Sequence, residues 1–140
     1  MTTALDWLGS HAETGAKLAV MRTRMTRSFT FEAAHRLDWH AGRCKRLHGH
    51  HYRLEVSLEG CLDENGVIMD FDDLDLLVRD RLLGRWDHEL LNDSVANPTA
   101  EVIAGEAWRV LGPPITARGL KLVSVKLWET PHSMVELLAE

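Results

Sequence analysis

His48-Gly49-His50-His51-Tyr52-Arg53-Leu54-Glu55-Val56-Ser57-Leu58-Glu59 is the stretch on which the fold of this chain turns. His48, His50, Tyr52, Leu54, Val56 and Leu58 share one parity, while His51, Arg53, Glu55, Ser57 and Glu59 share the other. Successive side chains of a strand point to opposite faces, so this pattern is that of a half-buried strand. It carries two imidazoles, His48 and His50, to the same face, about 7 Å apart along the chain.

Upstream, Phe29, Phe31, Ala33 and His35 alternate in the same way from Met25 onward, and a polar, basic loop (Asp38 to Arg46) separates the two runs. If they pair as a hairpin, His35 meets His48 and His50. Downstream, Asp63-Glu64-Asn65-Gly66 reads as a turn, because Asn-Gly tolerates positive φ. Val67 to Met69 is expected to be a short returning strand. Asp70, Asp72 and Asp73 suit a helix start, Leu74, Leu77, Val78 and Leu82 its buried stripe, and Gly84 its end. A second helix is expected to open at Asn97-Pro98-Thr99 and run to Leu111, where Gly112-Pro113-Pro114 stops it. Its core face is Ile103, Ala107, Val110 and Leu111. Alternation returns from Leu120 to Glu129, with Val123, Val125, Leu127 and Glu129 on one face, and residues 133–138 add a last strand. The expected class is α+β, a four-stranded antiparallel sheet with two helices on one face.

A length of 140 residues fits one domain. Residues 1–24 show no sustained period and read as a loosely ordered N-terminal extension, leaving 25–140 as a single domain. Sixteen lysines and arginines against 21 aspartates and glutamates argue against a nucleic-acid partner held by phosphate contacts. Two cysteines, Cys44 and Cys61, cannot build a disulfide scaffold, so a reducing cytoplasm is expected. No run of roughly 18 apolar residues argues for a membrane span. Asp6, His11 and Glu13 interrupt anything resembling an export signal.

Of eight histidines, His35, His48 and His50 share inward parity on adjacent strands. Three neutral imidazoles with an open fourth position is the usual donor set of catalytic zinc, so the expected ion is Zn²⁺ acting as a Lewis acid. Taken singly, each is more simply an ordinary histidine; their convergence reverses that balance. His51 has the opposite parity and points away, and His11, His40 and His132 carry no comparable case. The motifs of zinc nucleobase deaminases and of common zinc proteases are absent.

Cys44 lies among Arg43, Lys45 and Arg46, where positive charge favours a thiolate base or nucleophile; the competing reading is a structural thiol. Asp87-His88 reads as an orienter and proton carrier, or as a surface pair. Glu129 ends an apolar face, so its carboxylate turns toward an interior or a pocket and needs a ligand or an arginine as partner. Thr99 and Glu101 stand at a helix start, which is also their simplest role.

Phe31-Glu32-Ala33-Ala34-His35, Cys44-x-x-x-His48-Gly49-His50, Asp70-Phe71, Asp87-His88, Pro98-Thr99-Ala100-Glu101 and Glu129-Thr130-Pro131 occur together in this order. In this the chain resembles the 6-pyruvoyltetrahydropterin synthase family over residues 25 to about 138. Within the family it is most similar to the 6-carboxy-5,6,7,8-tetrahydropterin synthases of queuosine and other 7-deazapurine biosynthesis. The three-residue gap between Cys44 and His48 favours that branch. The resemblance implies the tunnelling fold (T-fold), homo-oligomers, commonly hexamers, and active sites between subunits. It implies His35, His48 and His50 as zinc ligands, Cys44 as general base, and Asp87 with His88 as a proton-transfer pair. Glu129 matches the pterin-anchoring carboxylate, and Thr99 and Glu101 match positions that help hold the pterin. The implied reaction is a lyase conversion of 7,8-dihydroneopterin triphosphate to 6-carboxytetrahydropterin with release of acetaldehyde and triphosphate. Arg43, Lys45 and Arg46 are candidates for the triphosphate on charge alone. Two other readings remain: a 6-pyruvoyl activity that retains the side chain, and a zinc-binding assembly module without catalysis.

Overall fold

The structure is a computed structural model that describes residues 16–18 and 20–140. Most of the segment read as an N-terminal extension, residues 1–15 together with residue 19, lies outside the described residues. Strands β1 (Thr23–His35) and β2 (His48–Gly60) pair antiparallel over their whole lengths, from Thr23 opposite Gly60 to His35 opposite His48. Period-two patterning sets this register, because a slip of one residue would turn Phe29, Phe31, Tyr52, Leu54 and Val56 out of the core they share.

The Asn65-Gly66 turn forms: Gly66 has φ 78°, and the Asp63 carboxylate accepts the Asn65 N–H at 2.8 Å. The expected strand at Val67–Met69 does not. Both edges of β2 are taken, by β1 and by β4 (Lys121–Thr130), so the returning segment has no ladder to join. Met69 is buried in the core instead. Asp70 then caps α1 (Phe71–Val78), its side chain accepting the Asp72 N–H at 2.7 Å.

Helix α1 does not end at Gly84. It continues through a π-helical turn, Arg79–Leu83, into α2 (Gly84–Trp86), and Gly84 has right-handed helical angles. The π turn inserts one residue and rotates the helical turn after it, so that Leu82, Leu83 and Trp86 are all buried. Beyond it, β3 (Glu89–Leu90) lies parallel to Ala33–Ala34 of β1.

Helix α3 spans Ala100–Ala117, with Thr99 as its cap accepting the Val102 N–H at 3.2 Å, and Pro113 and Pro114 lie inside it. The expected stop at Gly112-Pro113-Pro114 is therefore wrong, while the expected opening at Asn97-Pro98-Thr99 holds with Thr99 as the cap and Pro98 just outside the helix. Each internal proline forfeits a bond to the carbonyl four residues back and costs about 3 kcal/mol. Both sit in the last turns, and ending the helix there would withdraw Ile115, which is fully buried like Leu111 one turn earlier.

The sheet has five strands in the order β3-β1-β2-β4-β5, with β5 at Ser133–Leu138. The antiparallel four-stranded core agrees with expectation; the two-residue parallel strand β3 is an addition to it. A bulge also corrects the parity of β4. Leu58 pairs with Leu122 but Ser57 with Ser124, so Val123 is left over. Leu122, rather than Val123, joins Val125 and Leu127 in the core cluster. The helices cover one sheet face, with Leu74, Val78, Trp86, Ile103, Ala107 and Leu111 packed on the inward side chains. Among the described residues, no helix is long and apolar enough to cross a membrane.

Candidate functional site

The register His35 opposite His48 decides the site, since both stand at the open end of the first hairpin and His50 follows on the same face. One ligating nitrogen from each of the three lies within 4.8 Å of the others. His35 is buried, whereas His48 and His50 are half-buried. Nδ1 of His35 bonds the Pro98 carbonyl at 2.8 Å, and Nδ1 of His48 bonds the Arg46 carbonyl at 2.7 Å. A carbonyl only accepts, so each Nδ1 carries the proton and each Nε2 presents a lone pair.

The two Nε2 atoms face one another at 3.0 Å. Two lone pairs at that separation repel unless a cation lies between them. A tetrahedral zinc with bonds of 2.0–2.1 Å would hold two such nitrogens about 3.3 Å apart. The donor set therefore fits a metal ion with little rearrangement, and backbone carbonyls behind the rings are the usual orienting partners of metal-bound histidines. Burial, and after it the neighbouring His35 and His48, hold the His50 imidazolium below its ordinary range, with Glu129 pulling the other way. The neutral, ligating form is favoured. Tyr52 closes the floor: it is fully buried, its hydroxyl is 3.4 Å from His35 Nδ1, and burial raises its phenol above the usual range.

Glu129 stands where the β4–β5 register shifts between Trp128 and Thr130, and it keeps the inward parity of the buried Val125 and Leu127. Its Oε1 is 3.5 Å from His35 Nε2 and 3.7 Å from His50 Nε2. Beside the histidines opens a hollow of about 510 Å³ whose lining includes Cys44, Thr99, Glu101 and Glu129. Cys44 arrives there on a single 3₁₀ turn, Arg43–Lys45, and the Leu37 N–H binds its carbonyl at 2.9 Å. The structure thus brings together the three histidines, Cys44, Glu129, Thr99 and Glu101. Thr99 also caps α3, so its simplest role holds as well.

Asp87 and His88 lie elsewhere. Within one chain, His88 lines a separate hollow of about 500 Å³ with Glu32, His50, His51 and Glu89. His88 has φ 61° and is held by its own N–H to the Glu32 carbonyl at 2.6 Å, while the Asp87 carboxylate accepts the Glu32 N–H at 2.9 Å. That clamp turns the imidazole outward, with Nδ1 3.0 Å from Asp87 Oδ1. The Glu32 N–H is the main influence holding the Asp87 carboxyl below its usual range; desolvation opposes it and His88 adds to it. His51 points to the other sheet face and pairs with Glu32, in line with its parity. Arg43, Lys45 and Arg46 are not part of the Cys44 hollow, although Cys44 is.

Sequence reasoning passed over Trp39, His40 and His132, which line the Cys44 hollow. No periodicity marks them, because they stand in loops; only the closeness of His132 to Glu129 and of Trp39 to Cys44 hinted at it. A larger cavity, about 1060 Å³, opens at the far end of β2, around Gly60. Its charges are of both signs, and among them Arg22 pairs with Glu59.

The 6-pyruvoyl tetrahydropterin synthase family model matches residues 24–140. The chain is 29% identical over 136 residues to the 6-carboxy-5,6,7,8-tetrahydropterin synthase of Haemophilus influenzae, covering 81% of this chain and 96% of that one. It is 44% identical over 93 residues to the Synechocystis protein of the same name, covering 59% and 67%. Among solved structures, the 6-pyruvoyl tetrahydropterin synthase of Caenorhabditis elegans superposes with a TM-score of 0.75 at 25% identity, over 86% of this chain and 97% of that one. With the strand-borne histidine triad and the T-fold sheet in place, and nearly all the described residues inside the match, the chain belongs to the 6-pyruvoyl tetrahydropterin synthase family.

Proposed function

We propose that the chain converts 7,8-dihydroneopterin triphosphate and water to 6-carboxy-5,6,7,8-tetrahydropterin, acetaldehyde and triphosphate, as a zinc-dependent lyase of queuosine or related 7-deazapurine synthesis. The observation that carries it is the meeting of three imidazole nitrogens with Glu129 beside the hollow that Cys44 enters. The names of the Haemophilus influenzae and Synechocystis relatives point to the carboxy product.

His35, His48 and His50 would hold Zn²⁺, which when bound supplies Lewis-acid polarisation of the substrate's side-chain oxygens and acidifies the neighbouring C–H and O–H bonds. Cys44 accepts protons from the side chain. Glu129 accepts N–H bonds from the guanidine-like edge of the ring, an orientation that matches a carboxylate to paired donors. Thr99 and Glu101 border the same space. Asp87 and His88 face away from Cys44 within one chain, so they serve the site of a neighbouring copy in a cytoplasmic homo-oligomer, a hexamer by resemblance. The backbone clamp on Glu32 keeps that imidazole presented for the purpose.

The test is incubation of zinc-loaded protein with 7,8-dihydroneopterin triphosphate and mass analysis of the pterin, with acetaldehyde assayed alongside. Acetaldehyde with the carboxy product is expected. An intact three-carbon side chain after loss of triphosphate would establish the 6-pyruvoyl alternative, the activity named for the Caenorhabditis elegans structure. Unchanged substrate with zinc still bound would support the non-catalytic module.

A further inference from the structure

Trp39 is 64% exposed, yet it is not free. Its indole N–H donates to the Asn97 side-chain oxygen at 2.6 Å. The adjacent His40 ring, 5.6 Å away between centroids, is pinned as well, its Nδ1 accepting the Gly42 N–H at 2.8 Å. The loop that carries them is closed on itself by Leu37 N–H to the Cys44 carbonyl at 2.9 Å and His40 N–H to the Leu37 carbonyl at 3.0 Å. Asn97 has φ 52°, a conformation asparagine tolerates better than most residues. It precedes Pro98, whose carbonyl orients the metal ligand His35. One dipeptide therefore fixes both an aromatic wall and a ligand of the candidate metal centre.

A tryptophan held in one rotamer with its ring in water has given up side-chain freedom and kept its apolar face hydrated. Such a group is preorganised for a ligand, because part of the ordering cost of binding is already met. The hollow it borders is divided by chemistry. Leu37, Trp39 and Met134 contribute apolar surface, whereas Cys44, Thr99 and Glu129 contribute polar groups. A flat heterocycle with two apolar faces and a polar edge matches that division.

We propose that Trp39 is the surface on which the ring of the substrate stacks, making it a binding and specificity residue of this site. The assignment rests on the pterin reading of the site. It selects a flat bicyclic heterocycle over an acyclic compound bearing the same polar edge.

The experiment uses the full chain, zinc-loaded, with Trp39→Ala and Trp39→Phe compared with the unaltered protein. Isothermal titration with 7,8-dihydroneopterin, which lacks the triphosphate, measures ring binding. Trp39→Ala should raise Kd by about tenfold or more, within the range aromatic stacking contributes per base, and Trp39→Phe should stay within about threefold. With the triphosphate substrate, KM should rise in Trp39→Ala while kcat changes far less, the pattern of lost uniform binding. Zinc content and melting midpoint should match the unaltered protein. Equal binding by Trp39→Ala and the unaltered protein would overturn the proposal and leave the pterin reading standing. Equal impairment of Ala and Phe variants, or zinc loss accompanying the weaker binding, would reduce Trp39 to a brace for Asn97. A change of oligomer mass with unchanged Kd would make the ring a subunit contact. No pterin binding by the unaltered protein would sink both readings together.

Discussion

Zinc should stabilise the folded chain by an amount that the histidine geometry allows to be worked out, and His48→Ala should remove that gain. In the chain alone, the Nε2 atoms of His35 and His48 sit 3.0 Å apart with both Nδ1 protons committed to the Pro98 and Arg46 carbonyls. Moving them to the about 3.3 Å of a tetrahedral ion requires only a few tenths of an ångström. Most of the intrinsic binding energy should therefore appear as stability. At free zinc about 100-fold above Kd, linkage gives about 2.7 kcal/mol. A 140-residue chain unfolds with an entropy of about 0.3 kcal/mol/K, so the melting midpoint should rise by about 9 °C. Scanning calorimetry on chelator-treated protein in zinc buffers measures it. His48 is half-buried at the rim of the site, so its truncation should leave the fold intact while deleting one of three donors. A midpoint that does not move with zinc refutes the reasoning. So does an undiminished shift in His48→Ala, which would place the ion on other histidines.

Three further outcomes are expected. Cys44→Ala should abolish turnover of 7,8-dihydroneopterin triphosphate yet keep its zinc, measured by product mass and metal content; retained turnover would remove Cys44 as the base. The Glu32 N–H holds the Asp87 carboxyl below its usual range, against desolvation and with help from His88. A carboxyl depressed in this way adds stability above its unfolded value near pH 4 and loses it as pH falls through the folded value. Asp87→Asn should therefore flatten the fall in stability below about pH 4 without altering the slope between pH 5 and 7, as acid titration by circular dichroism would register. An unchanged acid limb would show the clamp contributes nothing. Pro113→Ala restores an N–H to α3 at an exposed position. It should stabilise the chain by about 1–2 kcal/mol in urea unfolding, the helix gain being partly offset by a freer unfolded chain; destabilisation would mean the ring itself is needed for packing.

The three candidate zinc histidines are legible in the sequence because strand parity is a local property. His35, His48 and His50 share a face with Phe31 and Tyr52, and the apolar neighbours dictate which way that face turns. The Asn65-Gly66 turn and the Asp70 cap are local too. Helix ends were less legible. Gly84 and Pro113-Pro114 are breakers by intrinsic preference, but burial of Trp86 on one side and Ile115 on the other outweighs a few kcal/mol of local cost. Strand β3 is two residues long and exists only through its pairing with Ala33–Ala34, so it leaves no pattern to read.

Glu129 shows where the division falls. Its place at the end of an alternating run marked it as inward-facing, and that parity holds through Val125 and Leu127 to the histidines, whereas the bulge at Val123 shifts the parity upstream, so that Leu122 takes the core place alternation assigned to Val123. Bulges arise from the register of partner strands, which no single segment encodes. Trp39 and Asn97 likewise meet across 58 positions of sequence, joined by one hydrogen bond. By itself, then, the order of residues determined the two long strands, their faces, and the donor set they carry, since hydrophobic alternation is enforced by burial wherever the strand is placed. The hollow beside the metal centre, its aromatic wall, and the parting of Asp87-His88 from Cys44 were decided only when distant loops were brought together, because those contacts depend on the packing of the whole sheet and its helices.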